Sequence, residues 1–301
     1  MRGQHREADR EAGGGSAGRS ARLYVVATPI GNLADITLRA LQVLRAVAVV
    51  CAEDTRTTAN LLRHHGIDAR LKAVHAHNEA RAAREITDLL AEGRDVALVT
   101  DAGTPGISDP GAAVVAAVRA AGFETVPVPG ASALGAILSV SGLRGPFAFA
   151  GFLPARGAAR RAALAAWRDF PHALVIYEAP HRIAGCVADL ADVLGGARRI
   201  VIGRELTKRF ESVHECALGE AAAWLEADPD RTRGEFVLVV SAPPPAAAAA
   251  QKAVPAEARR ILAALLAELP VKSAVQLAAE ITGAPRNALY AVALEERGAR
   301  S

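Results

Sequence analysis

The run Val96-Ala97-Leu98-Val99-Thr100-Asp101-Ala102-Gly103-Thr104-Pro105-Gly106-Ile107-Ser108-Asp109-Pro110-Gly111 decides the fold class. Its first five residues form a short apolar strand, continuous where a half-exposed strand would alternate, as expected for a strand buried on both faces. Eleven residues follow, with three Gly and two Pro, longer than a turn requires. Such a loop lets backbone approach a ligand closely, with N–H and C=O groups free to recognise it. Pro110 to Ala121 then reads as a helix, with Asp109 before it, Pro110 in its first turn and Gly122 after it.

The same strand, loop and helix grammar extends outward. Leu23 to Ala27 is a strand, followed by the loop Ala27-Thr28-Pro29-Ile30-Gly31-Asn32 and a helix over Thr37 to Ala46. Val47 to Cys51 is a strand, and Thr55 to His65 a helix closed by Gly66. Glu79 to Glu92 is a helix, with Asn78 as its expected N-cap. Thr125 to Val128 is a strand that enters a third loop, Val128-Pro129-Gly130-Ala131-Ser132-Ala133. Alternation of this kind predicts a mostly parallel sheet covered by helices. A second α/β run follows an irregular link over 146–154. Its predicted helices are Ala158 to Asp169, Ile183 to Leu194 and Ala221 to Ala227, and its strands Ala173 to Tyr177, Ile200 to Ile202 and Phe236 to Val240. The expected organisation is a disordered leader over 1–21, an α/β domain over 22–145, a second over 146–241, a Pro/Ala linker over 242–254 and a helical extension over 255–301. Two helices of that extension are separated by Thr282-Gly283-Ala284, the spacing of a helix-turn-helix; a small helical cap fits equally.

Composition excludes several classes. Of the 301 residues 51% are hydrophobic, enough for sizeable cores and too many for a disordered chain. No uninterrupted apolar run reaches the ~18 residues of a membrane span. Cys51, Cys186 and Cys216 are isolated, which argues against a disulfide framework and a cysteine zinc site and makes a reducing cytoplasm the default compartment. His75 and His77 have no third ligand nearby, so no metal is expected. Net charge is +3, with +2 in residues 1–22 and +2 in 251–301. Arg156, Arg160, Arg161 and Arg168 form a basic block with no acid from Phe152 to Trp167, either a solvated helix face or a phosphate-contacting patch.

In open α/β sheets ligands bind outside the carboxyl ends of the strands, where all three loops sit, so together they describe a site for an elongated small molecule. No Walker A sequence is present, and no G-x-G-x-x-G pattern follows the first strand. Polar clusters follow further strands: Glu53-Asp54-Thr55-Arg56, Glu178-Ala179-Pro180-His181-Arg182 and Arg204-Glu205-Leu206-Thr207-Lys208-Arg209-Phe210-Glu211. Mixed acids and bases at a rim suit binding a polyanion and moving a proton.

These motifs, with Gly151-Phe152-Leu153-Pro154 between them and Asn287-Ala288-Leu289-Tyr290 near the end, occur in the order found in a known family. The chain resembles, over about residues 22 to 298, the bacterial small-subunit ribosomal RNA cytidine 2′-O-methyltransferases of the decoding centre. These belong to the tetrapyrrole-methylase-like class of S-adenosylmethionine enzymes. The resemblance implies two α/β domains with the cofactor in the cleft between them, a homodimer, and 16S ribosomal RNA in the 30S subunit as substrate. It implies cofactor contacts from Thr28, Pro29 and Gly31, from Asp101, Gly103, Thr104, Pro105, Ile107 and Ser108, and from Gly130, Ala131 and Ser132. The first loop departs from the Gly-Ala-Gly-Pro-Gly type of tetrapyrrole methylases, and aromatics are only 4%, few for stacking a macrocycle. Both weigh against a porphyrinoid substrate, and the intact second loop weighs against a ribosome-binding protein without catalysis. A ribose 2′-hydroxyl needs a proton acceptor; Glu53, Asp54, Lys208 and Glu211 are the candidates. Arg56, Arg156, Arg160, Arg161, Arg182 and Arg204 are the candidates for RNA phosphates.

Overall fold

The structure, a computed structural model, describes residues 20–75, 78–244 and 254–298. Most of the expected leader, His77 and most of the expected linker lie outside the described residues. The chain divides into two compact units. One runs to Ser139 and includes Glu205–Glu211; the other comprises Val140–Arg204 and the chain from Ser212.

In the first unit five strands, β1 (Arg22–Val26), β2 (Val49–Ala52), β3 (Leu71–Ala73), β4 (Val96–Leu98) and β5 (Glu124–Val128), form a sheet in the order β3-β2-β4-β1-β5. Every pairing is parallel. The helices are α1 (Leu38–Ala46), α2 (Thr55–His64), α3 (Glu79–Ala91), α4 (Ala112–Ala120) and α5 (Ala133–Val140), the last running into the second unit. Side chains alternate along each strand. Leu23, Val49, Cys51, Val96 and Leu98 enter a core with Ile86 and Leu90 of α3 and Val114 and Val118 of α4. Val26, Val50, Ala52, Ala97 and Val99 enter another with Ala40 and Leu44 of α1 and Leu62 of α2. Each such buried Val or Leu contributes about 1.5–3 kcal/mol, which is why these strands read as unbroken apolar runs. Because all five strands point one way, every loop at a carboxyl end opens on the same edge.

The second unit holds β6 (Phe147–Phe152), α6 (Gly157–Ala165), β7 (Ala173–Glu178), α7 (Ile183–Leu194), β8 (Arg199–Arg204), β9 (Ser212–Ala217), α8 (Ala221–Glu226) and β10 (Phe236–Val240). The strand order is β6-β7-β10-β8-β9, parallel only between β6 and β7 and antiparallel elsewhere. The link expected to be irregular over 146–154 is therefore largely a strand. A register shift between Phe149 and Gly151, where Gly151 takes φ 63°, interrupts its alternation and hides it in the sequence. Two further strands, β3 and β9, were also not expected. β3 is only three residues long, and β9 (Ser-Val-His-Glu-Cys-Ala) is a half-polar edge strand. Arg198 is 2% exposed; its guanidinium donates to the carbonyls of Leu194 (3.0 Å), Arg168 (2.5 Å) and Ser241 (3.3 Å).

The helical segment consists of α9 (Ala256–Glu268), α10 (Val271–Thr282) and α11 (Arg286–Gly298). It has its own core of Leu262, Ala274, Val275, Ala278, Leu289 and Val292. Val254, expected in the linker, is buried in that core. α10 ends on Gly283 at φ 68°, the left-handed cap that glycine adopts without penalty. Among the described residues no helix is long and apolar enough to cross a membrane.

Candidate functional site

The three glycine loops follow β1, β4 and β5, which are neighbours in the first sheet, and hydrogen bonds join them. Thr28 N–H donates to Gly103 O (2.8 Å) and Gly103 N–H to Thr28 O (3.0 Å), a two-bond bridge between the first and second loops. The Thr28 hydroxyl, buried, donates to Thr100 O at 3.0 Å. The Thr104 hydroxyl donates to Ala131 O at 3.3 Å and ties the second loop to the third. Gly130 lies so close to the first loop that a Cβ there would stand 3.1 Å from Ala27 Cβ. Ser108, on the second loop, holds φ 67°, a strained position for a non-glycine residue. Of the expected cofactor residues, Thr28, Gly103, Thr104, Gly130 and Ala131 are thus within this bonded cluster, while Pro29, Pro105, Ile107 and Ser132 follow on the same loops.

The helix after the second loop begins later than expected. Residues 109–111 belong to the loop, with Gly111 at φ 128° as N-cap of α4. Its cap comes from another helix: Glu79 Oε1 accepts Gly111 N–H at 2.7 Å and Ala113 N–H at 3.2 Å. That leaves Asp109 without the capping role. Asn78 likewise does not cap α3; its carbonyl accepts His75 N–H at 2.9 Å and its amide donates to Ala73 O at 3.1 Å.

Four carboxylates collect at the edge. The Thr100 hydroxyl donates to Glu53 Oε2 at 2.8 Å, and Asp101 Oδ1 accepts Asp54 N–H at 2.9 Å. Burial pushes the Asp101 carboxyl above its ordinary range, helped by Glu53 and Asp54. Burial, then the charge of Glu53, pushes Asp109 up to about 6. Asp54 goes the other way. It caps α2 through Arg56 N–H (2.8 Å) and takes the Arg56 guanidinium at 2.6 Å, so hydrogen bonds from Arg56 hold it at about 2. That makes Asp54 a weak proton acceptor. Asp109, which in the sequence merely flanks a helix, becomes a group poised near neutral pH.

The stretch Glu205–Glu211, expected in the second domain, packs with the first unit. The Lys208 stem crosses Gly31, where any Cβ would overlap its Cγ, and Lys208 Nζ pairs with Glu205 Oε1 at 2.9 Å. Glu211 Oε2 accepts Thr207 N–H at 2.5 Å. Glu205 (φ 51°) and Thr207 (φ 66°) are both left-handed. Two of the four candidate acid/base groups therefore brace this loop.

The basic block divides. Arg156 is exposed. Arg160 is 6% exposed and pairs with Asp189 at 2.6 Å, while half-exposed Arg161 reaches the other oxygen of Asp189 at 2.9 Å. Burial pushes the Asp189 carboxyl up, but hydrogen bonds from Arg161 and Arg160 outweigh it and hold it below its ordinary value. The acid absent from Phe152–Trp167 is thus supplied from α7, and Arg160 faces the interior instead of RNA. Arg182 is also engaged internally: it bonds to Leu153 O, and its Nε lies 3.0 Å from Glu178 Oε1 without hydrogen-bond alignment. Arg204 is half-buried on Ser212 Oγ (3.2 Å) and Arg233 O (3.3 Å). Arg56 is open, 89% exposed at its side chain despite the pair with Asp54. Among the described residues no group of three or more His, Cys, Asp or Glu is arranged to hold a metal ion.

Residues 22–222 match the Tetrapyrrole (Corrin/Porphyrin) Methylases family, and residues 252–297 match the RsmI C-terminal HTH domain. A protein of Escherichia coli O157:H7 named ribosomal RNA small subunit methyltransferase I is 48% identical over 296 residues, covering 98% of this chain and 99% of that one. A relative of the same name from Pseudomonas aeruginosa is 50% identical over 277 residues, covering 92% and 98%. Among solved structures, a diphthine synthase superposes with TM-score 0.58 at 18% identity, over 74% of this chain and 90% of that one. The uroporphyrin-III-C-methyltransferase of Thermus thermophilus gives 0.53 at 23%, over 74% and 94%. At such identities these two share the fold, whereas the first two relatives align along nearly their whole length. The chain belongs to the tetrapyrrole methylase family, in the branch whose members are named ribosomal RNA small subunit methyltransferase I.

Proposed function

We propose that this protein transfers a methyl group from S-adenosylmethionine to the ribose 2′-hydroxyl of a cytidine in the decoding region of 16S ribosomal RNA, working in the cytoplasm as a homodimer. The observation that carries this reading is the near full-length identity to ribosomal RNA small subunit methyltransferases, with the three loops intact. The residues present fit the cofactor. Backbone groups of three bridged loops suit an elongated ligand, and the carboxylates Glu53, Asp101 and Asp109 suit one carrying positive charge. When bound, S-adenosylmethionine supplies a methyl group on a cationic sulfur. Thr28, Gly103, Thr104 and Ala131 hold the loops in one arrangement, which fixes the direction of approach. A carboxylate of the edge accepts the proton of the attacking hydroxyl; Asp109, raised to about 6, is better placed electrostatically for this than Asp54, which Arg56 keeps ionised and weakly basic. Labelled methyl transfer to isolated small subunits, to naked ribosomal RNA and to a porphyrin precursor tests the reading; incorporation only into the porphyrin precursor overturns it.

Asp101 serves both this edge and the backbone of Asp54. Asp101→Ala is expected to weaken S-adenosylmethionine binding by about 1–3 kcal/mol, the range for leaving a polar partner unsatisfied. Titration calorimetry on the folded variant checks this, and unchanged affinity contradicts it.

The exposed arginines Arg156 and Arg161 are proposed to meet RNA phosphates. Neutralising both is expected to leave cofactor affinity intact and to flatten the log–log salt dependence of RNA binding by about 0.7 for each phosphate no longer neutralised. An unaltered slope assigns them to a solvated face.

A further inference from the structure

The loop Glu205–Glu211 presents a side chain, Phe210, that neither the fold nor the proton chemistry accounts for. Phe210 is 63% exposed, the most exposed phenylalanine among the described residues. The Arg209 guanidinium lies over its ring, 5.5 Å from the centroid. Leaving this much apolar ring in water is unfavourable, and the segment that presents it is stiff. Leu206, 8% exposed, anchors the loop in the first unit. Glu211 Oε2 takes Thr207 N–H, Lys208 Nζ pairs with Glu205, and the Lys208 stem fills the space above Gly31. Thr207 is β-branched yet left-handed at φ 66°, and its hydroxyl is buried without a hydrogen-bond partner. Strain and an unsatisfied hydroxyl of this kind persist where the surroundings over-determine the backbone. Here the backbone holds an aromatic ring and a guanidinium side by side at the surface, two residues from the lysine that touches the first cofactor loop.

We infer that Phe210 is a base-stacking residue for the RNA substrate, with Arg209 steadying the ring and adding positive charge beside it. Single-stranded RNA is recognised through unstacked bases laid on aromatic and guanidinium planes, and a rigid Phe beside an Arg provides both. The bracing of the same loop against Gly31 would place that base at a constant offset from the cofactor loop. The inference rests on the RNA substrate proposed above and names a residue that fixes how the strand lies in the site.

The test compares Phe210→Ala, Phe210→Leu and Phe210→Trp with the unaltered protein, using isolated small subunits and naked ribosomal RNA. Transfer by the unaltered protein in the same assay tests the RNA reading itself, so the two can fail separately. Phe210→Ala is expected to weaken RNA binding and raise KM by about 5- to 150-fold, the range for loss of one stacked base. S-adenosylmethionine affinity and melting temperature should stay unchanged. The salt slope should also stay unchanged, because the ring carries no charge. Phe210→Trp should restore binding, and Phe210→Leu, which keeps apolar bulk without a π-face, should not. Wild-type RNA binding by Phe210→Ala overturns the inference. So does full rescue by Phe210→Leu, or a change of oligomeric state with RNA affinity intact; either would make the ring an ordinary protein contact.

Discussion

Asp189→Ala is expected to lower the stability of the second unit by about 3–5 kcal/mol, the largest single-residue loss foreseen in that unit. Asp189 is the partner that α7 offers to α6. It binds Arg160 Nη2 at 2.6 Å and Nε at 2.7 Å, and Arg161 Nη1 at 2.9 Å. Removing it leaves the Arg160 guanidinium buried, uncompensated, and pressed against Gly185, where a Cβ would already stand 3.2 Å from Nη2. The cost comes from the stranded charge, so replacing Arg160 and Asp189 together by Met and Leu should destabilise less than Asp189→Ala alone. Denaturant unfolding with tertiary probes in the second unit checks both statements. A double variant as unstable as the sum of its singles would show that packing, and not the stranded charge, dominates.

Gly31→Ala is expected to reduce methyl transfer on the order of 100-fold, the scale of a displacement of about an ångström in a positioned site. The added Cβ overlaps Cγ of Lys208, close to that side chain's root, and has 3.0 Å to Cε. The stem cannot swing aside at its tip alone. Either the first glycine loop or the segment Glu205–Glu211 must move, and the ion pair of Lys208 with Glu205 moves with it. Cofactor affinity should fall too, and Lys208→Ala in the Gly31→Ala background should restore that affinity by vacating the space. Gly93→Ala is the control, since nothing lies within 4 Å of a Cβ there and Gly93 precedes β4, at the amino end of the strand whose carboxyl end leads into the second loop. Equal losses at Gly31 and Gly93 would reduce the effect to backbone strain.

The parallel sheet and its three loops were legible because local signals determine them. A strand buried on both faces is an apolar run, and a long loop at its end shows as a surplus of Gly and Pro over what a turn needs. Residues 96–111 carry both signals. What escaped was set by partners distant in sequence. Glu79 caps α4 from 32 residues away, and Asp189 answers Arg160 from 29. The bulge at Gly151 broke the alternation of β6, and β9 is half polar because it is an edge. Asp109 has the sequence position of a helix cap, but Glu79 takes that role, and only burial beside Glu53 makes the Asp109 carboxyl a candidate acid/base group. The basic block reads as one patch in the sequence because the acid that splits it lies on another helix.

The most direct measurement of the central proposal is nucleoside analysis by mass spectrometry of ribosomal RNA from small subunits incubated with the purified protein and S-adenosylmethionine, the subunits having been prepared without this modification. One added methyl per subunit is expected, recovered as 2′-O-methylcytidine in a fragment of the decoding region. A methyl recovered on a base, on a different nucleoside, or not in RNA at all would contradict it.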